Sequence, residues 1–233
     1  MKFGVVVFPG SNCDRDMINA LQNELDQEVI VLWHKDRDLS MFSTEDCIVL
    51  PGGFSFGDYL RCGAIARFSP MMQSVTEFAS SGGKVFGVCN GFQILCESGL
   101  LPGVLLRNSN MQFVCRNVTI TDEQDPEKRV LKIPVAHGEG LYYAPEHVLD
   151  ELADQGQVLY RYCDEKGDYS AGCSPNGSLR NIAGICNRDR NVFGMMPHPE
   201  RACSEELRNT DGRHVFQRLF SLRKVKKLVH ATL

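Results

Sequence analysis

One cysteine of this sequence lies in a pattern that could make it a nucleophile. The segment GVCNG (87–91) is a G-x-S-x-G elbow with Cys89 in place of serine, between a predicted strand and a predicted helix. Glycines on both sides let the strand turn abruptly and hold the nucleophile in a strained position, while the helix N-terminus would stabilise a thiolate. The alternative is a structural core cysteine between closely packed glycines. The strand–turn–helix context favours the nucleophile.

A nucleophilic cysteine needs a base, and two His-x-Glu segments could supply one. Glycine separates His137 from Glu139, whereas Pro199 separates His198 from Glu200. Proline restricts the preceding residue to extended backbone, which places His198 and Glu200 on one side of the chain. This segment also ends an apolar run, where active-site residues of α/β sheets collect. We therefore predict His198 as the base and Glu200 as its orienting carboxylate, and expect His137 to position a loop or a partner.

A Pro-Gly-Gly turn (51–53) follows another apolar run. Adjacent glycines at the carboxyl end of a strand can point their N–H groups at one anion, and such a turn would complement the N–H of Asn90 as an oxyanion hole. A plain tight turn explains the same residues equally well. The polar, aromatic and glycine-rich segment after it (54–66) is typical of a binding loop.

The first half of the chain alternates apolar runs with helical patterns. Such alternation predicts a parallel sheet with helices on its faces and ligands at the carboxyl ends of its strands. The predicted strands are 3–8, 28–33, 47–50 and 84–88, and the predicted helices are 14–26, 71–79 and 91–98.

From about residue 107 the pattern changes to shorter strands separated by turn residues, which indicates antiparallel pairing. These strands are predicted at 112–120, 130–137, 158–163, 182–186 and 192–196, with helices at about 145–155 and 212–226. We find no linker or internal repeat. The predicted fold is thus a single α/β domain, residues 1–233, with a mostly parallel central sheet flanked by helices and short antiparallel strands in the second half.

Composition excludes several classes of protein. A net charge of −4 gives no reason to expect nucleic acid or an anionic membrane as partner, and the basic run at 223–227 suits a helix end or a subunit contact. No stretch reaches the ~20 apolar residues of a membrane span. The ten cysteines contain no C-x-x-C pair and no metal-like spacing, so we expect them to be mostly reduced and structural, in a cytoplasmic protein without a metal site.

Together these motifs resemble the class I glutamine amidotransferase family. Within it they look most like free-standing glutaminase subunits of purine biosynthesis. The segments that carry the resemblance span nearly the whole chain: FPGSNCDRD (8–16), PGGFSFGDYLRCGAIAR (51–67), GVCNGFQIL (87–95), AHGEG (136–140) and MMPHPER (195–201).

The resemblance implies a role for each matching residue. It makes Cys89 the nucleophile of a triad with His198 and Glu200, and it places the N–H groups of Gly53 and Asn90 in the oxyanion hole. Residues that would contact the amino-acid end of glutamine are Gln93, Asn110, Gln112 and Phe113, the last three through their main chain and by a looser alignment. Cys13 lies in a family motif without an assigned role.

The resemblance also implies partners. Ammonia from glutamine would pass to a large synthase subunit that uses ATP and Mg to convert formylglycinamide ribonucleotide to the amidine, with a small third subunit bridging the two. No cofactor is implied for this chain itself, and no ATP-binding motif is present. Three alternatives remain: a glutaminase subunit serving another synthase, a redox or chaperone-like protein with an elbow cysteine, and a non-catalytic binding module. Glutamate release separates the last two from a glutaminase.

Overall fold

Five parallel strands form one half of a nine-stranded sheet in the computed structural model, which describes residues 1–170 and 172–222. In sheet order they are β2 (Glu28–Trp33), β1 (Lys2–Val7), β3 (Cys47–Leu50), β4 (Lys84–Val88) and β11 (Val192–Met195). Every residue of β3 and β11 is buried, as expected for continuous apolar runs inside a parallel sheet. The predicted parallel arrangement of the first half is confirmed.

Four antiparallel strands continue the same sheet beyond β11. They are β10 (Ile182–Cys186), β9 (Val158–Cys163), β6 (Val114–Asp122) and β7 (Val130–His137). Since β10 pairs with β11, the two halves share one sheet, and β7 has the bounds predicted for it. The predicted strand at 112–120 is wrong by two residues, because Gln112 and Phe113 belong to the exposed loop before β6. A separate pair, β5 (Val104–Leu106) and β8 (Leu141–Tyr143), escaped prediction.

Helices cover both faces of the sheet. The α-helices in the described ranges are α1 (Asp14–Asn19), α2 (Pro70–Ser80), α3 (Asn90–Glu97), α4 (Glu146–Asp154) and α5 (Asp211–Phe220). The prediction of one continuous helix at 14–26 is wrong, because α1 passes into a π-helical turn, Ala20–Glu24, and Asp26 takes a left-handed φ of +53°. In the part of the chain that the structure describes, no helix has the length and apolar character of a membrane span.

The closing helix packs on the strand that leads to Cys89. Phe216 and Phe220 of α5 make edge-to-face contacts with Phe86 of β4, with ring centroids 5.9 and 5.7 Å apart. The helix ends at Phe220, earlier than predicted, because Ser221 adopts left-handed backbone. The basic run at 223–227 lies outside the described residues. The aromatic contacts give the elbow a rigid base.

Candidate active site

Cys89 lies at the turn between β4 and α3. Its backbone has φ +51° and ψ −106°, a conformation that non-glycine residues rarely adopt. Its N–H donates to the Met195 carbonyl of β11 at 2.8 Å, and its carbonyl accepts from the Gln93 N–H at 3.1 Å. The surrounding strand and helix therefore hold a strained residue in place, as the elbow motif predicts.

Two glycines leave the space that this turn requires. A Cβ at Gly91 would collide with the Leu50 carbonyl oxygen of β3. A Cβ at Gly52 would lie 2.7 Å from His198 Cε1 and 3.4 Å from Cys89 Cβ. Gly52 therefore packs directly against both reactive side chains, and a larger residue there would displace one of them.

His198 and Glu200 form a buried pair at the 3₁₀ turn Pro199–Ala202. Nδ1 of His198 lies 2.6 Å from Oε1 of Glu200, and the two side chains are 1% and 0% exposed. Burial opposes protonation of the ring, but the charges of Glu200 and Cys89 outweigh it and raise the pKa of His198 to about 10. Nε2 is buried and has no hydrogen-bond partner in the described residues. Glu200 thus anchors one ring nitrogen and leaves the other for the sulfur of Cys89.

Within the described residues, two backbone N–H groups near Cys89 donate to no acceptor. Asn90 is the first residue of α3, so its N–H has no carbonyl one turn earlier in the helix. The N–H of Gly53 makes no hydrogen bond within the described ranges, and Gly53 has φ +130°, a region that favours glycine. Free N–H groups next to a nucleophile are what stabilisation of an oxyanion requires.

A cavity of about 180 Å³ lies against His198 and Gly53. The residues that line it include Asn12, Cys13, Gly53, Phe113, His198 and Arg201. The carbonyl of Ala136, which also lines it, lies 3.8 Å from the Cys89 sulfur. The cavity is smaller than the roughly 300–1,000 Å³ of drug-sized sites and suits a small substrate. A larger cavity of about 660 Å³ between α2 and the end of α3 contains no predicted site residue.

Comparison with known proteins identifies the family. The model of the CobB/CobQ-like glutamine amidotransferase domain matches residues 1–221. This chain belongs to that glutamine amidotransferase family. The resemblance drawn from the motifs is therefore confirmed.

Close relatives of this amidotransferase cover nearly its whole length. The phosphoribosylformylglycinamidine synthase subunit PurQ of Gloeobacter violaceus is 53% identical over 227 residues, which cover 94% of this chain and 97% of the relative. The same subunit of a Nostoc species is also 53% identical, with 94% and 96% covered. A chain in the structure of PurLQS from Thermotoga maritima superposes with a TM-score of 0.81 at 38% identity, covering 94% and 97%.

Of the four residues predicted to bind glutamine, three are exposed and one is buried. Phe113 is exposed and lines the cavity, whereas Asn110 and Gln112 are exposed loop residues, and Asn110 Oδ1 accepts from the Gln112 N–H at 3.0 Å. The side chain of Gln93 is buried. Its Oε1 accepts from Asn90 and its Nε2 donates to the Glu139 carbonyl. Both polar atoms of the Gln93 side chain thus have a partner within the fold.

His137 has a different environment from His198. Its Nδ1 lies 3.1 Å from Asn108 Oδ1, and Asn108 also donates to the carbonyls of His137 and Gln112. Burial and the charge of His198 lower the pKa of His137 to about 4. His137 is therefore a neutral ring that ties the end of β7 to the loop 109–113. Sequence reasoning missed Asn108, since an isolated asparagine carries no pattern.

Sequence reasoning also missed Asp16, Asp58 and Arg201, which lie around the site. Asp58 accepts from Asn90 Nδ2 at 3.1 Å, and Arg201 contacts both Cys13 and Asp16. Burial raises the pKa of Asp58. The motifs contain these residues, but only the folded chain shows which of them meet. In the described ranges no cluster of His, Cys, Asp or Glu is arranged to hold a metal ion.

Proposed function

We propose that this amidotransferase is the glutaminase subunit of a phosphoribosylformylglycinamidine synthase and hydrolyses glutamine to glutamate and ammonia. One observation carries the chemistry: the strained Cys89 lies beside His198, which the buried Glu200 anchors at 2.6 Å. The PurQ relatives support the choice of synthase. We further propose that the whole chain, 1–233, forms the glutaminase domain.

The reaction begins at Cys89. Nε2 of His198 takes the thiol proton, and the high pKa of His198 favours the imidazolium that results. The thiolate attacks the side-chain amide carbon of glutamine, whose oxygen becomes an oxyanion that accepts from the N–H groups of Gly53 and Asn90. As the tetrahedral intermediate collapses, His198 returns its proton to the amide nitrogen. The C–N bond breaks, and ammonia leaves.

The second half of the reaction releases glutamate. Water attacks the γ-glutamyl thioester while His198 accepts its proton. The same backbone donors hold the second oxyanion, and its collapse expels the Cys89 thiolate, which recovers the proton from His198. Glu200 keeps the ring oriented through both steps. Gln93, Asn110, Gln112 and Phe113 would hold the amino-acid end of glutamine, with Phe113 closing the cavity.

Ammonia then passes to a partner. We place the ATP- and Mg-dependent step on a large synthase subunit, with a small third subunit bridging the two, because this chain has no ATP-binding motif. A PurLQS chain with a TM-score of 0.81 supports this division. All ten cysteines are free, which suits the reducing cytoplasm.

The test compares two nitrogen sources in the assembled synthase. Cys89→Ala should abolish glutamate release and synthesis from glutamine, yet spare synthesis from added ammonia. Cys115→Ala is the matched control, since Cys115 is exposed and no site residue. In the wild-type chain, glutamate release should rise when synthase, ATP and formylglycinamide ribonucleotide are added. A hundredfold rise requires only ~3 kcal/mol of differential contact. Loss of synthesis from both nitrogen sources in Cys89→Ala would contradict the proposed division of labour.

A further inference from the structure

Arg201 follows the base segment directly and reaches across to another loop. Its Nε donates to Asp16 Oδ2 at 2.9 Å, and its Nη2 donates to Cys13 Sγ at 3.0 Å. Both acceptors belong to the segment 8–16 that follows β1. The planar guanidinium can donate in these two directions at once, which fixes the segment relative to His198.

The same segment supports the turn that carries Gly53. The N–H groups of Phe54 and Phe56 donate to the carbonyls of Gly10 and Pro9 at 3.1 and 2.6 Å. Ser11 Oγ donates to the Gly52 carbonyl at 3.3 Å. Arg201 is thus connected to the oxyanion turn through a short stretch of hydrogen-bonded backbone.

Residues of the segment 8–16 also pack directly against the Gly52–Gly53 turn at the cavity. Cys13 Sγ lies 3.4 Å from the point where a Cβ on Gly52 would be, and a Cβ on Gly53 would lie 2.6 Å from the Asn12 backbone nitrogen. Burial raises the pKa of Cys13 to about 12, against the charge of Arg201, so Cys13 stays a neutral thiol. Cys13 therefore acts as a packing and hydrogen-bonding group, with no nucleophilic role.

We propose that Arg201 is a positioning residue, which holds the Gly52–Gly53 turn in register with Cys89 and His198 through its contacts to Cys13 and Asp16. The proposal rests on the glutaminase function proposed above. Arg201 lines the cavity, and its side-chain hydrogen bonds within the described residues go to Cys13 and Asp16. It acts by keeping the oxyanion donor where the negative charge develops.

The expected effect is therefore on turnover. Loss of one oxyanion donor costs about 100- to 1,000-fold in kcat, and a displaced donor should cost less, about 10- to 100-fold. KM for glutamine should change little, because the ground-state amide needs no oxyanion donor. A partly exposed ion pair contributes little to stability, so the variants should fold.

The test uses the full-length chain with Arg201→Met, Arg201→Lys, Asp16→Asn and the Arg201→Met/Asp16→Asn double variant. Arg218→Met is the matched control, because Arg218 also donates to a carboxylate and a carbonyl, at Asp122 and Gln124, without lining the cavity. The measurements are kcat and KM for glutamine, their pH profile, and the labelling rates of Cys89. Labelling uses diazo-oxonorleucine, which is a glutamine analogue, and iodoacetamide, which needs no substrate site.

Arg201→Met should lower kcat and the diazo-oxonorleucine rate together, with the iodoacetamide rate and the pH profile unchanged. Lysine should rescue part of the loss, and Asp16→Asn should add nothing in the double variant. Equal kcat in Arg201→Met and Arg218→Met would overturn the proposal. So would a shifted pH profile with both labelling rates reduced, since Arg201 would then act electrostatically on His198 and Glu200. An inactive wild-type chain whose Cys89 resists diazo-oxonorleucine would contradict the glutaminase function instead.

Discussion

The ends of β7 and β11 carry the same His-x-Glu spacing in opposite electrostatic settings. At His198 the carboxylate of Glu200 is bonded to the ring, and the ring pKa rises to about 10. At His137 the ring faces Asn108, and its pKa falls to about 4. The two segments are joined, since the His198 N–H donates to the Pro134 carbonyl of β7 at 2.8 Å. Burial is common to both histidines, and the partner of each ring decides its protonation.

The residue between the histidine and the glutamate, Pro199 in one segment and Gly138 in the other, explains this difference. Pro199 disfavours helical backbone at His198, which has φ −99° and ψ +86°, and the side chains of His198 and Glu200 meet at the start of the 3₁₀ turn. Gly138 imposes no such restriction, and Glu139 contributes its backbone carbonyl to Gln93 instead. One segment is thus built to move a proton, and the other to hold a loop.

The largest expected difference is between the two histidines in hydrolysis. His198→Asn should reduce glutamate release by about 100- to 10,000-fold, the usual cost of losing a general base. His137→Asn should retain most of the activity, because the His137 ring is neutral and takes no part in the proposed proton transfer. Steady-state glutamate release by the two purified variants measures both. A worse defect in His137→Asn would reverse the assignment of the base.

The pH dependence of the unfolding free energy should distinguish the carboxylate of Glu200 from that of Glu139. The pKa of His198 is raised from 6.5 to about 10, so the protonated ring stabilises the fold fully below pH 6.5, and this stabilisation is lost as the pH rises through about 10. Glu200→Gln removes the nearest charge that raises this pKa. Its deficit in unfolding free energy should therefore be largest near pH 6.5 and shrink by about 1–3 kcal/mol towards pH 10, since one pKa unit corresponds to about 1.4 kcal/mol.

Denaturant unfolding of wild-type protein, Glu200→Gln and Glu139→Gln from pH 6.5 to 10 measures this trend. Glu139→Gln is the control, because the carboxylate of Glu139 forms no pair with a histidine in the described residues. A deficit for Glu200→Gln that stays constant with pH would mean that Glu200 does not hold the proton on His198.

A smaller effect should follow from Asn108→Ala at the His137 end. The variant removes the hydrogen bonds of Asn108 to the carbonyls of His137 and Gln112 and to the Gly140 N–H, which are buried or partly buried. We expect a loss of about 1–3 kcal/mol in unfolding free energy. Calorimetry and glutamate release on the same sample check this. An unchanged unfolding free energy would show that the Asn108 network does not stabilise the loop.

The sequence predicted the parallel half of the fold well because its strands are continuous apolar runs between glycine turns. Strand 47–50 and strand 84–88 agree with the structure residue for residue. Predictions failed where tertiary contacts override local pattern, as at the π turn after α1 and at Gln112 and Phe113 before β6. Helical periodicity cannot show where a helix widens or ends.

The residues of the candidate site also fall into a group that the sequence predicts and a group that it does not. Cys89, His198 and Glu200 were predictable because glycine and proline restrict the backbone around them, and local restriction is visible in sequence. Arg201 and Asn108 were not predictable, because their partners lie far along the chain. Their roles depend on contacts such as the one between Arg201 and Asp16, 185 residues apart.

Among the ten cysteines, we assign Cys89 as the positioned nucleophile for glutamine. Incubation of the full-length chain with diazo-oxonorleucine, followed by peptide mapping, tests this assignment. We expect a single label on Cys89, protection by glutamine, and no label in His198→Asn within the same time. A label on Cys13 or Cys62 with Cys89 unmodified would contradict it.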